Sequence, residues 1–523
     1  MKLSLVLVLA VIAVPNLKAN DVVYDPALGR YLDALALTGQ AERSTNNYSI
    51  RGVSSWGLLG EGHPWNRRIP EATDRPATLR WTPIRLHQSY NSSYPSGFND
   101  ASAWQGRGYN ASLVGGVRWT PRSWVDLTIA PRVWFAENRD FPTIAAVNGE
   151  FGYYVGGVDV FQRPGAVSQA KIDYGESSLH VRYRGVSFGV SASSQWYGPA
   201  REQPIILGSN AAGIPRAEIT LLPARTRIGE IEATVSWGIL SESESFDENT
   251  ENDLRFAALL ATSLRPAFVP NLTLGFHRFS QSPWKSATLG NVLDPFTTRM
   301  STALGDDDKD QRVALTVEWT FPQVGFAGYL EWARNDYSPN WRYIIREPKH
   351  SQAYTIGVRQ AVLDHPRRLL VVYAEFTELI HSRDYYIDLG MSQRGFYHHG
   401  IVSQGHTNAG QILGAGIGPG ADSQVAGADL FVEEGSVGVE VRRIARNKDF
   451  LYGAPDAGPG DIRRMNVEMQ YLVRGALWLR PELLLTGSLA FARNINWNFV
   501  EANDRNNVRL QIGVSWQREG ALP

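Results

Sequence analysis

The chain has 523 residues and not one cysteine. For an exported protein this excludes a disulfide framework, and for any protein it removes thiolate nucleophiles and thiolate metal ligands. Neither sign of charge prevails, with 51 Lys+Arg against 52 Asp+Glu, and no basic run or face stands out. A nucleic-acid partner is therefore not expected. Beyond the first residues, no stretch approaches the roughly 20 apolar residues that a membrane helix needs. The mean hydropathy is −0.24, the value of a chain that a hydropathy plot would class as soluble. No repeat of fixed period is found, which counts against a propeller, and a large secreted sandwich is the other soluble rival.

What is present is alternation. The chain closes on Asn507-Val508-Arg509-Leu510-Gln511-Ile512-Gly513-Val514-Ser515-Trp516, where every second residue is apolar. Such a strand has one oily face and one wet face. Similar segments recur from about residue 77 onward, joined alternately by tight turns and long polar loops. This is the signature of a transmembrane β-barrel, which satisfies its backbone hydrogen bonds laterally and escapes hydropathy tests. Aromatic residues are abundant (Trp 16, Tyr 21, Phe 20), and both membrane girdles and sugar-stacking surfaces use them.

Residues 1–19 read as a secretory signal: Lys2 is the positive start, Leu3 to Val14 the apolar core, and Ala19 the candidate last residue removed. An uncleaved helical anchor is the alternative. Residues 20–76 are expected to form a periplasmic helical and irregular segment. Within it Asp25 caps a helix, Pro26 takes the first position, Leu28, Tyr31, Leu32 and Leu35 line one face, and Gly39 is the stop. Residues 77–523 are expected to form the barrel. Turn formers at Thr120-Pro121-Arg122-Ser123, Arg184-Gly185, Pro322-Gln323 and Asp364-His365-Pro366 mark the short connections. Long polar stretches between them give about 18 strands, with short turns facing the periplasm and long loops facing outward. The fold class is thus all-β: a transmembrane antiparallel barrel of about 18 strands with a small N-terminal periplasmic helical element.

Three motif-dense blocks fall on the long-loop side. They are Asn99 to Gly108, Gln195 to Pro215, and Tyr397 to Gln424. Their residue types suit glycan recognition, with aromatic faces for sugar C–H surfaces and amides, carboxylates and guanidinium groups for hydroxyls. The aromatic candidates are Trp104, Trp196 and Tyr197. The polar ones are Asn99, Asp100, Gln105, Arg107, Asn210, His406, Asn408 and Asp422. Loop packing competes with ligand contact at each position, because pockets use few of their lining groups. His398, His399 and His406 lack the spacing of a metal site. The acidic runs 241–248 and 306–308 fit no EF-hand, so solvated loops are expected there. No nucleophile elbow is read, and Lys349-His350 and Arg367-Arg368 are expected to be rim charges.

The strings NDASAWQGRG (99–108), GESSLHVRYRGVSFGVSASSQWYGP (175–199), ILGSNAAGIP (206–215) and GHTNAGQILGAGIGPGADSQ (405–424) resemble the recurring blocks of the capsule assembly Wzi family. The resemblance extends over about residues 20–520. It implies an 18-stranded outer-membrane barrel with a small periplasmic helical element, acting as a lectin that holds capsular or exported polysaccharide at the cell surface. Members usually carry a second Trp where this chain has Tyr197, and a second Asn within the stretch that here reads Gly208-Ser209-Asn210. The expected partners are capsular polysaccharide or exopolysaccharide, outer-membrane lipid and lipopolysaccharide, around a monomeric barrel. No enzymatic activity, cofactor or metal is expected. A sugar-selective porin is the alternative.

Overall fold

A computed structural model describes residues 25–43, 56–58, 62–66, 68, 79–144, 158–247, 249–297, 309–335, 341–346, 348–349, 351–381, 395–453 and 462–516. The expected signal peptide and the acidic run 306–308 lie outside the described residues.

The first described element is the helix Pro26–Leu37. The Asp25 carboxylate accepts from Ala27 N at 2.8 Å, which satisfies one of the N–H groups a helix start leaves unpaired. Thr38 forms the C-cap, and Gly39 follows in the left-handed conformation at φ 73°. Leu28, Tyr31, Leu32 and Leu35 are all buried, as the spacing required.

All the remaining long elements belong to one antiparallel sheet of 22 strand segments. Successive segments pair in chain order, and the last, Arg505–Trp516, pairs with Ile84–Asn91 near the start. Four consecutive strands are each broken once: Leu79–Trp81 with Ile84–Asn91, Gly108–Val114 with Val117–Arg122, Val125–Ile129 with Arg132–Ala136, and Gln169–Asp173 with Ser178–Tyr183. Across each break the four strands stay paired with one another in the same order. The breaks align across the sheet, where residues 115–116 lie opposite 130–131. Pro131 has no N–H to give the ladder, and a Cβ on Gly116 would sit 1.9 Å from Ile129 O.

The sheet is patterned inside out. On Gly435–Ala445 the exposed residues are Val437, Val439 and Val441, whereas Glu440 and Arg442 are buried. The closing strand repeats this, with Val508, Leu510 and Ile512 exposed and Asn507 and Ser515 buried. One face is therefore apolar and bare, and the opposite face is polar and covered.

Two apolar clusters cover that polar face. At the short-turn end the helix packs on Trp65, Leu369, Phe431, Trp478 and Leu484. Tyr31 stacks on Trp65 at 4.2 Å, and Trp65 Nε1 donates to Val432 O at 2.8 Å. Toward the long-loop end, Ile205, Ile206, Leu207, Phe396, Tyr397, Ile412, Leu413 and Ile417 from loops pack against Leu240, Ala257, Phe279, Ala314 and Ala333 from strands. The long loops thus fold down against the sheet instead of standing away from it.

Candidate functional site

The three sequence blocks are laced together through their backbones. Ala101 N donates to Ser209 O at 2.6 Å, joining the first to the second. Gly208 N donates to Leu413 O at 2.8 Å, and Asn210 Nδ2 to Ile412 O at 3.1 Å, joining the second to the third. Tyr397 fixes the same junction, donating from its hydroxyl to Ile205 O and accepting from Ala415 N. Asn99 and Ala101 adopt left-handed φ of 60° and 54°, which lets the first block turn back on itself.

Two strand carboxylates hold the second block from beneath. Glu331 accepts from Ala200 N at 2.8 Å and from Ile205 N at 3.0 Å. Glu375 accepts from Arg201 N at 2.7 Å and Gln203 N at 2.9 Å, and also from the Tyr329 hydroxyl. Gly198 is required here, since its φ is 109° and an added Cβ would lie 2.1 Å from Glu331 Oε1.

Above this packed layer lies a cavity of about 230 Å³. Aromatic rings from Tyr94, Phe98, Trp104, Phe141, Phe161 and Trp497 line it, with amides from Gln105, Gln162, Asn210, Gln411, Asn447, Asn466 and Asn498. Trp104 meets Phe161 edge-on at 4.9 Å, and Tyr94 lies over Trp497 at 4.5 Å. The charged groups in the wall are offset. Arg446 faces Glu468 at 3.7 Å, and Asp100 faces Arg509 at 3.6 Å. Four buried polar atoms of the wall lack a hydrogen-bond partner: Tyr94 OH, Trp104 Nε1, Asn466 Oδ1 and Asp100 Oδ2, the last of which is ion-paired with Arg509. Buried polar atoms are ordinarily satisfied, so a ligand rich in hydroxyls would suit this wall.

Of the residues singled out from sequence, Asp100, Trp104, Gln105 and Asn210 line the cavity. The others hold loops. Trp196 is buried and its Nε1 donates to Ala200 O. Tyr197 is buried, and its hydroxyl accepts from Gln195. Asn99 Nδ2 donates to Glu202 O, and Arg107 Nε to Ser92 O. Asn408 accepts from Ser241 N and donates to Ala212 O. Asp422 accepts from Arg443 and Gln424. His406 is fully buried, stacked on Tyr397 at 5.2 Å, and burial lowers its pKa to about 3.

Sequence reasoning missed Tyr94, Phe161, Gln162, Arg446, Asn466, Glu468, Trp497 and Asn498. The signal that was available is Asn494-Ile495-Asn496-Trp497-Asn498, an amide-dense stretch around one Trp; Asn496 and Asn498 take left-handed turns there. His399 Nδ1 accepts from Val402 N within its own turn. Among the described residues no group of three or more His, Cys, Asp or Glu gathers as for a metal ion. The letters Gly-x-Ser-x-Gly, passed over in the sequence, do occur at Gly185-Val186-Ser187-Phe188-Gly189. They lie in a hairpin, with Ser187 on the strand Val186–Ser191, and form no strand-to-helix elbow.

Fold and cavity together define the class: a large antiparallel β-sheet protein, apolar on its bare face, whose other face is covered by loops that carry a polar and aromatic cleft. The chain belongs to the capsule assembly protein Wzi family, whose profile matches residues 68–508. This bears out the resemblance read from the motif blocks. In structure it is similar to Wzi of Escherichia coli, an outer membrane protein involved in group 1 capsule assembly and described as a carbohydrate-binding beta-barrel. The TM-score is 0.62 at 12% identity, covering 97% of this chain and 100% of that one. Similarity extends to OccK8 (OprE) of Pseudomonas aeruginosa, with TM-score 0.43, 9% identity and coverage of 84% and 98%. It also extends to OccAB1 of Acinetobacter baumannii, with TM-score 0.43, 10% identity and coverage of 86% and 99%. No curated protein matches the sequence.

Proposed function

We propose that this protein is a monomeric outer-membrane barrel that binds capsular or exported polysaccharide and attaches it to the cell surface, without catalysing a reaction. Counting each kinked pair of segments as one strand makes 18, and the pairing of Arg505–Trp516 with Ile84–Asn91 supports a closed wall. In this reading residues 1–19 are removed, 20–76 stay periplasmic, 77–523 form the barrel, and the long loops face outward among lipopolysaccharide. Membership of the family and the carbohydrate-binding barrel of similar fold support the polysaccharide as partner.

The observation that carries the reading is the cavity itself. Its rings and amides are the chemistry that meets sugar C–H faces and hydroxyls, and its unpartnered polar atoms point to a hydroxyl-bearing ligand. One stacked ring contributes about 1 kcal/mol. A polymer repeats its epitope, so rebinding multiplies modest single contacts into retention.

The test is binding of purified protein to a glycan array, followed by Trp104→Ala and Asn466→Ala. Loss of one ring contact is expected to weaken binding of the selected glycan about fivefold, from about 1 kcal/mol. In cells the double variant should shed polymer into the medium while the barrel still folds. Unchanged cell-bound polymer in a folded double variant would sink the assignment.

A further inference from the structure

The apolar face of the sheet carries a polar patch on four neighbouring strands. Across four neighbouring strands, Trp237 pairs with Ala258, Ala258 with Ser280, and Ser280 with Gln311. These residues alternate with Ala257, Leu259 and Phe279 of the interior cluster, so they face outward. Arg278 and Ser282 lie on the same outward side of their strand. Arg, Gln and two Ser on an outward face would be costly against hydrocarbon. Yet Arg278, Ser280, Ser282 and Gln311 are all buried.

What buries them is residues 284–296, which drape over the outside of the wall. Trp237 Nε1 donates to Val292 O at 3.0 Å, and Trp284 packs beside Phe256, another outward residue, at 6.3 Å. Asn291 donates to Ser282 Oγ at 3.2 Å, while Arg278 donates to Gln311 Oε1 at 2.7 Å. The segment's polar side is thus spent on the polar patch. Its other side shows Leu289 at 91% exposure, Phe296 at 60%, Leu293 at 57% and Trp284 at 47%.

We infer that residues 284–296 form a collar immersed in the outer leaflet, with lipid acyl chains as the occupant of its exposed apolar side. The collar masks a polar patch and restores the apolar surface that lipid requires. Continuity with the lipid-facing band, through Ile239 and Leu254 at its edge, argues for lipid over water. Trp284 and Trp237 suit the membrane interface, where an indole buries its ring and keeps its N–H bonded. The inference rests on the outward face meeting lipid, as proposed above.

The natural absence of cysteine makes the test clean. Leu289→Cys, Phe296→Cys, Leu510→Cys and Glu244→Cys variants are each labelled with a nitroxide and reconstituted in phospholipid bilayers. Collision with oxygen, which partitions into lipid, is compared with collision with a water-soluble nickel chelate. The oxygen-to-nickel ratio at 289 and 296 is expected to shift from the value at 244, a water-exposed loop, toward that at 510, on the sheet's apolar face. A ratio at 289 equal to that at 244 would overturn the inference. So would spin–spin broadening at 289, which would place a second copy of the chain there. If the label at 510 is itself water-accessible, the barrel reading fails and the collar fails with it.

Discussion

At the scale of single residues, His406 shows how the interior loops are held. Its Nε2 lies 2.6 Å from Ile206 O and its Nδ1 lies 3.4 Å from the Arg312 guanidinium. A neutral ring with the proton on Nε2 donates to the carbonyl and accepts from the arginine; a protonated ring would set a second N–H against a cation. Burial first, then Arg312, lowers the pKa to about 3 from an ordinary 6.5. The unfolded chain therefore takes up a proton that the folded chain refuses. Stability from this group is whole above about pH 6.5 and declines as pH falls toward 3. The protection of amides in residues 405–413, that is exchange slowed relative to its intrinsic rate at each pH, is expected to fall between pH 7 and pH 5, and His406→Gln should remove much of that pH dependence. A flat wild-type profile would contradict this account. The same residue marks what sequence could and could not reveal. Its block, its loop and its polar company were legible, but not the face it turns. Trp196, Asn408 and Asp422 share that ambiguity, because a side chain's direction depends on partners far away in the chain. Asn408, for example, meets Ser241 and Ala212.

At the scale of elements, the helix and the hairpins were readable because their causes are local. Asp25, Pro26 and Gly39 mark the helix within fifteen residues, and Asp25→Ala should cost about 1 kcal/mol of helix stability, seen as a lower melting temperature. Arg184-Gly185 takes φ of 45° and 82°, the two positive angles of a tight hairpin turn, which Gly185 adopts freely. The broken strands were not foreseen. Gly115-Gly116 and Pro131 lie opposite each other only after pairing, so a kink line shared by four strands is a property of the register. The grip of Glu331 and Glu375 on the second block is likewise invisible in sequence, with more than a hundred residues between the partners. Glu331→Ala would leave Ala200 N and Ile205 N buried without an acceptor, at about 1–3 kcal/mol each. Faster exchange at 200–205 with little change in the strands is the expected result, and uniform loss across the sheet would argue instead for global unfolding.

At the scale of the whole molecule, the alternation of oily and wet residues was legible because the sheet is patterned opposite to a soluble one. The filling was not. Residues 396–417 and 205–207 pack on strands from across the sheet, and in the closed wall proposed above they would occupy the space a pore needs. Purified protein in planar bilayers is therefore expected to show no steady conductance, whereas excision of residues 396–418 should open one. Steady current through the intact protein, blocked by oligosaccharide, would favour the porin alternative. The helix at the opposite end carries a last consequence. Its seat is built from Ala327, Leu369, Phe431, Trp478 and Leu484, so the earliest-made element docks on some of the latest. Trp65 reaches Val432 across 367 positions. During biogenesis this segment must wait, greasy side uncovered, until nearly all the hairpins have been laid down. A polypeptide cut short before residue 478 would lack part of that seat, and the waiting segment would then mark the unfinished product for quality-control proteases.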